Sequence, residues 1–185
     1  VEMENVTDEM RRRAKTINFG LLYGMSAFGL SNQLSVSRAE AEEFLLNYLA
    51  KYSSIKVFMK DVVEQAKKDK YVSTLYGRKI HVPNIESPNY MLRQASERAA
   101  VNGPLQGSAA DIIKRAMINI FKESGKNEKD VKMILQVHDE LVFEVPEDYD
   151  EKNISYLIDL MEESSSIDVP LKVEYGFGSN WREAH

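Results

Sequence analysis

The chain has 185 residues, 43% hydrophobic and 29% charged, the balance of a globular protein with one large or two small domains. It contains no cysteine, which excludes disulfide scaffolds, thiolate zinc sites and cysteine nucleophiles. Its net charge of −5 excludes a uniformly basic surface, so any anion site must be a local concentration of Lys and Arg. There is no signal-peptide pattern and no apolar run long enough to cross a bilayer, so the expected setting is a cytoplasmic or organellar interior without a membrane partner. Residue 1 is Val, and the chain is expected to begin inside a longer protein.

Thr7 is a candidate N-cap for a first helix running to about Gly24, and a short helical piece is expected between Ser26 and Leu34. "SRAE" at 37–40 is a capping box. Behind it Ala41, Phe44, Leu45, Tyr48, Leu49 and Tyr52 recur with a helical period, which Ile55, Phe58, Met59, Val62 and Ala66 repeat in the next helix. "YVSTLYGRKIHVP" predicts a hairpin turning near Gly77 and ended by Pro83. After "NIESPN" a helical pattern covers roughly 90–124, interrupted by Gly103 and Pro104, which is compatible with two helices or with one kinked helix. Gly125 fits a helix stop. "VKMILQV" and "LVFEVP" are β-branched apolar runs joined by His138, Asp139 and Glu140, a second tight hairpin. A last amphipathic helix (Ile154, Leu157, Ile158, Met161) and a strand over "PLKVEYG" close the chain. Helices first, then antiparallel hairpins mixed with helices, predict an α+β fold.

Two stretches carry chemistry. In "RRRAKTINFGLLYG", at 11–24, Ala14, Ile17 and Leu21 fall within about 40° of Met10 on a helical wheel, a core stripe. Arg11, Lys15, Phe19 and Tyr23 form a second stripe nearly opposite, at about 100° to 220°. Two cations one turn apart suit adjacent phosphates, and an aromatic beside them can pack on a sugar or base. Gly20 and Gly24 would let a ligand or strand approach the backbone. The same stripe also reads as a solvated basic face whose Phe19 packs on a neighbouring domain. In "VHDELVF", Asp139 and Glu140 sit at a hairpin tip, where carboxylates can hold Mg²⁺ or can simply face solvent. A two-metal site needs a further carboxylate from elsewhere, because both ions must be bridged. Asp111 reads as a structural or capping residue, and no other stretch offers a partner.

Together these stretches resemble the C-terminal part of the polymerase domain of family A DNA polymerases. "RRRAKTINFGLLYG" is similar to that family's motif B at Arg11, Lys15, Phe19, Gly20, Tyr23 and Gly24. "LQVHDELVFEVP" resembles motif C. "TLYGRKIHVP", "ERAAVNGPLQGSAADIIKRAM" and the closing "VPLKVEYGFGSNWREAH" resemble the family's corresponding segments in order and spacing, so the likeness spans essentially the whole chain.

The resemblance implies a helical fingers segment followed by part of an antiparallel-sheet palm with packed helices. Residues 1–88 would be the fingers-side helices and first hairpin, and 89–185 the palm-side helices, motif C hairpin and C-terminal strand. It implies DNA-directed DNA synthesis by two-metal phosphoryl transfer, with Mg²⁺ as the cofactor and a deoxynucleoside triphosphate (dNTP) and primer-template DNA as partners. By the same resemblance Arg11 and Lys15 would hold the triphosphate, with Lys15 also a proton donor to the leaving pyrophosphate. Phe19 would lie by the sugar and base, where relatives with Tyr accept dideoxynucleotides more readily, and Tyr23 would stack near the templating base. Arg98, Asn102 and Gln106 would contact primer and template, largely through the minor groove, whose degenerate acceptors suit a check of pair geometry. His138 would lie near the primer terminus, Asp139 would be a catalytic metal ligand, and Glu140 a nearby, less essential carboxylate. Motif A, with the other essential Asp in a D-Y-S-x-I-E type segment, and the thumb are expected upstream. The fragment alone is therefore expected to be inactive. A single-subunit RNA polymerase has a similar motif B but calls for Tyr at position 19 and lacks Glu after His-Asp, so Phe19 and Glu140 favour the DNA enzyme. A non-catalytic nucleic-acid-binding module on the same fold would be free to lose Arg11, Lys15 and Asp139, all of which are present.

Overall fold

The computed structural model describes residues 2–127, 131–149 and 151–184. The chain divides into two compact units, 1–107 and 108–185.

The first unit opens with a 3₁₀ turn, Met3–Asn5, and then α1, Asp8–Leu22. Thr7 caps α1 by accepting a hydrogen bond from the Met10 amide at 3.2 Å, and Asp8 and Glu9 lie in the first turn, where the helix dipole favours acids. The short α2, Ala27–Leu34, is capped by Ser26, and α3, Arg38–Lys51, by the reciprocal Ser37–Glu40 box. Leu21, Leu30 and Ala41 form the buried centre of these three helices, with Ile17, Met25, Leu34, Leu45 and Tyr48 around it. The expected core stripe of α1 is thus only half realised. Leu21 is buried, but Met10 is 46% exposed and Ala14 is exposed as well. The packed cluster reaches α1 at Ile17 and Leu21 only, so the helix's first half has no apolar partner from it.

Helix α4, Ser53–Asp69, ends on Lys70 in a left-handed conformation and leads directly into β1, Tyr71–Ser73. β1 pairs antiparallel with β2, Lys79–His81, in the register Tyr71↔His81, Val72↔Ile80 and Ser73↔Lys79. The expected turn at Gly77 is present, with φ at +79°. Ala66, Val72, Val82, Ile85 and Ala100 form the second buried cluster, which joins α4, the hairpin and α5.

Helix α5 runs unbroken from Tyr90 to Asn127 with Pro104 inside it. Of the two readings the sequence left open, two helices or one kinked helix, the first is not realised, since the helix is continuous. Gly125 does not stop it, because a single interior glycine costs a helix only about 1 kcal/mol.

In the second unit β3, Lys132–Val137, pairs antiparallel with β4, Glu140–Glu144, with an irregularity between Met133 and Leu135. Helix α6, Glu151–Glu162, and a one-turn α7, Trp181–Ala184, complete it. Ala116, Ile120 and Leu157 are buried here, and Arg115 Nε donates to the Ser164 carbonyl at 3.0 Å. The strand expected over "PLKVEYG" does not form. Among the described residues the only sheets are the two hairpins, and the Val173 amide donates to Glu162 Oε1 at 3.0 Å, a side chain on α6, instead of entering a ladder. An extended pattern becomes a strand only where another backbone is alongside to accept its hydrogen bonds.

Candidate functional site

Three of the predicted residues, Arg11, Lys15 and Phe19, lie along α1, and a fourth, Tyr23, is its C-cap residue. Arg11, Lys15, Phe19 and Tyr23 are all solvent-facing, as a four-residue spacing opposite a buried Leu21 requires. The stripe is internally ordered. Lys15 Nζ stands 6.0 Å from the centre of the Phe19 ring, and the Phe19 and Tyr23 rings lie 6.1 Å apart and nearly parallel at 12°. Among the described residues neither Arg11 nor Lys15 enters an ion pair. Helix α1 therefore offers two uncommitted cations followed by two stacked rings, an arrangement suited to a polyanion that carries a flat or apolar end.

The glycines of this segment do not leave the backbone open, contrary to expectation. The space beside Gly20 is taken by the thioether end of Met25, whose Cγ also lies 2.9 Å from where a Cβ on Gly29 would be. The space beside Gly24 is taken by the Arg98 side chain. Met25 is thus held between one glycine of α1 and one of α2, a role its flexible, unbranched side chain suits.

Arg98, Asn102 and Gln106 follow one another at four-residue spacing on α5, so they share one face. Arg98 and Gln106 are exposed and Asn102 is half-buried, its Oδ1 buried without a hydrogen-bond partner among the described residues. Their orientation is set by the other side of the helix. A Cβ on Gly103 would lie 3.0 Å from Val72 Cγ2, and one on Gly107 would lie 2.6 Å from Thr74 Cγ2 and 2.9 Å from Ile80 Cδ1. Arg78 Nη2 donates to the Gly107 carbonyl at 2.9 Å. Ala100, Gly103 and Gly107 form a small-residue strip that lets the β1–β2 hairpin lie close to α5, more than about 100° round the helix from the polar face. Sequence reasoning missed this positioning role of Thr74, Arg78 and the two glycines. Its signal was present in the four-residue spacing of Gly103 and Gly107 on a helix, which otherwise weakens the helix without reward.

His138, Asp139 and Glu140 lie in the second unit, at the β3–β4 turn. Val137 pairs with Glu140, so His138 and Asp139 are the two turn residues and Glu140 is the first of β4. His138 has φ at +54°, a left-handed conformation uncommon for a residue with a Cβ, and Gln136 Nε2 donates to its carbonyl at 2.6 Å. A two-residue turn with positive φ matches the right-handed twist of its strands, which is what fixes the direction of Asp139. Asp139 is exposed and Glu140 half-buried, and both border a cleft of about 500 Å³ walled by Phe143, Leu157, Met161 and Trp181.

Among the described residues no three or more His, Asp or Glu side chains gather as a metal cage. Asp139 nevertheless fits a Mg²⁺ ligand of the shared kind, because that ion is commonly held by one or two carboxylates while waters and substrate phosphates complete its shell. Asp111 is half-buried on α5.

A profile of DNA polymerase family A matches residues 1–183. The chain is 49% identical over 188 aligned positions to the DNA polymerase I of Pseudomonas aeruginosa, covering 100% of this chain and 20% of that protein. It is 42% identical over 184 positions to the DNA polymerase I of Geobacillus stearothermophilus, covering 100% of this chain and 21% of the relative. The chain thus spans about a fifth of the length of the curated relatives it matches. Among solved structures it is similar to the POL domain of Pol1 from M. smegmatis in complex with DNA primer-template and dNTP. The TM-score is 0.94 at 43% identity, over 100% of this chain and 32% of that one.

Proposed function

The chain belongs to DNA polymerase family A, and on that premise we propose that it supplies the nucleotide-binding helix and one metal-binding carboxylate of a DNA-directed DNA polymerase. The observation that carries this reading is the ordered stripe Arg11, Lys15, Phe19 and Tyr23 on α1. The reaction is attack of a primer 3′-hydroxyl on the α-phosphorus of a dNTP. A new P–O bond forms, the bond to pyrophosphate breaks, and the hydroxyl proton is lost.

Arg11 and Lys15 bind the triphosphate oxygens, Arg11 through its planar fork and Lys15 as a point charge. Lys15 sits where it can also give a proton to the departing pyrophosphate. Phe19 packs on the sugar and base, and Tyr23, stacked on Phe19, bounds the position of the base pair. Arg98, Asn102 and Gln106 hold primer and template from one face of α5, and His138 lies toward the primer terminus. Such a reaction is governed mostly by positioning and charge, and one well-placed cation can be worth about 10³ to 10⁵ in rate.

Family A polymerases are metal dependent, and Asp139 is the residue of this chain suited to hold Mg²⁺, with Glu140 as a weaker neighbour. The chemistry the bound metal supplies is a lowered pKa for the attacking hydroxyl and neutralisation of charge on the phosphates. The second essential carboxylate, in a D-Y-S-x-I-E type segment, is absent from these 185 residues, so on this reading the chain works as part of a longer polymerase and does not extend primers alone. The test is primer extension by the full-length enzyme with Asp139→Asn. Synthesis should be lost while primer-template binding stays close to wild type. Substantial residual synthesis contradicts the metal role, and extension by the 185-residue chain above its own Asp139→Ala control contradicts the division of the site.

A further inference from the structure

Helix α1 ends in a double-bonded stop. The Gly24 amide donates to the Leu21 carbonyl at 3.0 Å and the Met25 amide to the Gly20 carbonyl at 2.8 Å, with Gly24 at φ +78°. A turn of this kind asks for glycine on conformational grounds alone, and asparagine serves nearly as well. Gly24 meets a second demand. A Cβ on it would lie 2.9 Å from Arg98 Cγ and 3.3 Å from Arg98 Cδ. Gly77 provides the contrast within the same unit, since it has φ at +79° and nothing within 4 Å of where its Cβ would be.

We propose that Gly24 is a positioning residue for Arg98. Its missing side chain is the seat for the aliphatic stem of Arg98, and this contact aims the guanidinium along the polar face of α5. The atoms in contact are Cγ and Cδ, near the root of the side chain and not its mobile tip. Moving the guanidinium alone cannot relieve a clash there. A Cβ at position 24 forces Arg98 into another χ1 rotamer, because only χ1 moves Cγ, and redirects the whole fork. The last turn of the nucleotide helix and a DNA-contacting residue of α5 are thereby one mechanical unit. This inference rests on the reading of Arg98 as a DNA contact.

The test uses the full-length polymerase with Gly24→Asn, Gly77→Asn, Arg98→Ala and the double variant Gly24→Asn/Arg98→Ala. Asparagine accepts the left-handed backbone, so the first two variants keep their turns and differ in what the new Cβ meets. Binding of a primer-template duplex at fixed salt and the thermal midpoint are both measured. Arg98→Ala should weaken binding on the order of tenfold, and Gly24→Asn several-fold. Gly77→Asn should bind as wild type. The double variant should bind no worse than Arg98→Ala and should melt above Gly24→Asn, because the stem that clashed is gone. Gly24→Asn binding DNA as wild type, losses that multiply in the double variant, or a double variant that melts as low as Gly24→Asn would each overturn the inference. Arg98→Ala binding DNA as tightly as wild type would instead overturn the reading of Arg98 on which it rests.

Discussion

Along α1 and its C-cap the four proposed site residues succeed one another at every fourth position, and the periodicity of a helix capped by Thr7 is enough to place them on one face. At the β3–β4 turn the equivalent task falls to Asp139, on a two-residue turn whose first residue is bent into a left-handed conformation. The helix gathers all four residues of its proposed site on one face, cation by cation and ring by ring. The hairpin presents a single exposed carboxylate and a half-buried neighbour, and a bridged pair of ions needs another acid. The proposed phosphate site is therefore written locally in this chain, and the proposed metal site is not.

Removing the Lys15 charge should break the helix side of this contrast most severely. Lys15→Met in the full-length enzyme is expected to lower kcat/KM for dNTP by about 10³, equivalent to roughly 4 kcal/mol, if the ammonium acts on the leaving group. Steady-state incorporation on a fixed primer-template measures it. A rise in KM with kcat unchanged would leave Lys15 as a binding residue only.

The support beneath α1 should respond next. Leu30 is fully buried under the Leu21 end, and Leu30→Ala should destabilise the first unit by about 3 kcal/mol in chemical denaturation. Met10→Ala, at the exposed end, should stay within about 0.5 kcal/mol of wild type. Equal losses would show that the whole predicted stripe is packed. Smaller than the Leu30 effect, Ser37→Ala should cost about 1 kcal/mol by removing the capping box of α3, on which the same cluster rests.

The second unit offers a pH test. Hydrogen bonds from the Val173 amide, and next from the Lys172 ammonium, hold the half-buried Glu162 carboxyl below its ordinary range. A carboxyl whose folded pKa is depressed stabilises the fold fully above its unfolded value, and that contribution fades as pH falls through the folded one. Exchange protection of the Val173 amide should accordingly decline on acidification from about pH 6 to pH 3, and Glu162→Gln should flatten that dependence. Protection that is unchanged by acid would remove Glu162 as the tie for the C-terminal segment.

Most helices and both hairpins were legible because their signals are local: caps at Thr7 and Ser37, a glycine turn at Gly77, and apolar period in α3 and α4. Three misreadings share one cause. "PLKVEYG" carries an extended pattern without a backbone beside it, Met10 and Ala14 carry a stripe without a partner, and Gly20 and Gly24 carry vacancies that Met25 and Arg98 fill. In each case a residue's own tendency was read correctly, while its neighbour across the fold was unknown.

What the chain presents chemically was legible in the sequence, since cations and rings at four-residue spacing share a face in any α-helix and His138, Asp139 and Glu140 join two apolar runs; the strand register then narrowed the turn to His138 and Asp139 and put Glu140 in β4. Tertiary structure alone decided which half of α1 is supported, that the polar face of α5 turns away from the hairpin lying on Gly103 and Gly107, and that Arg98 rests on Gly24. Those outcomes depend on close contacts between segments far apart in the chain, and spacing along one segment carries no information about what will be packed against it.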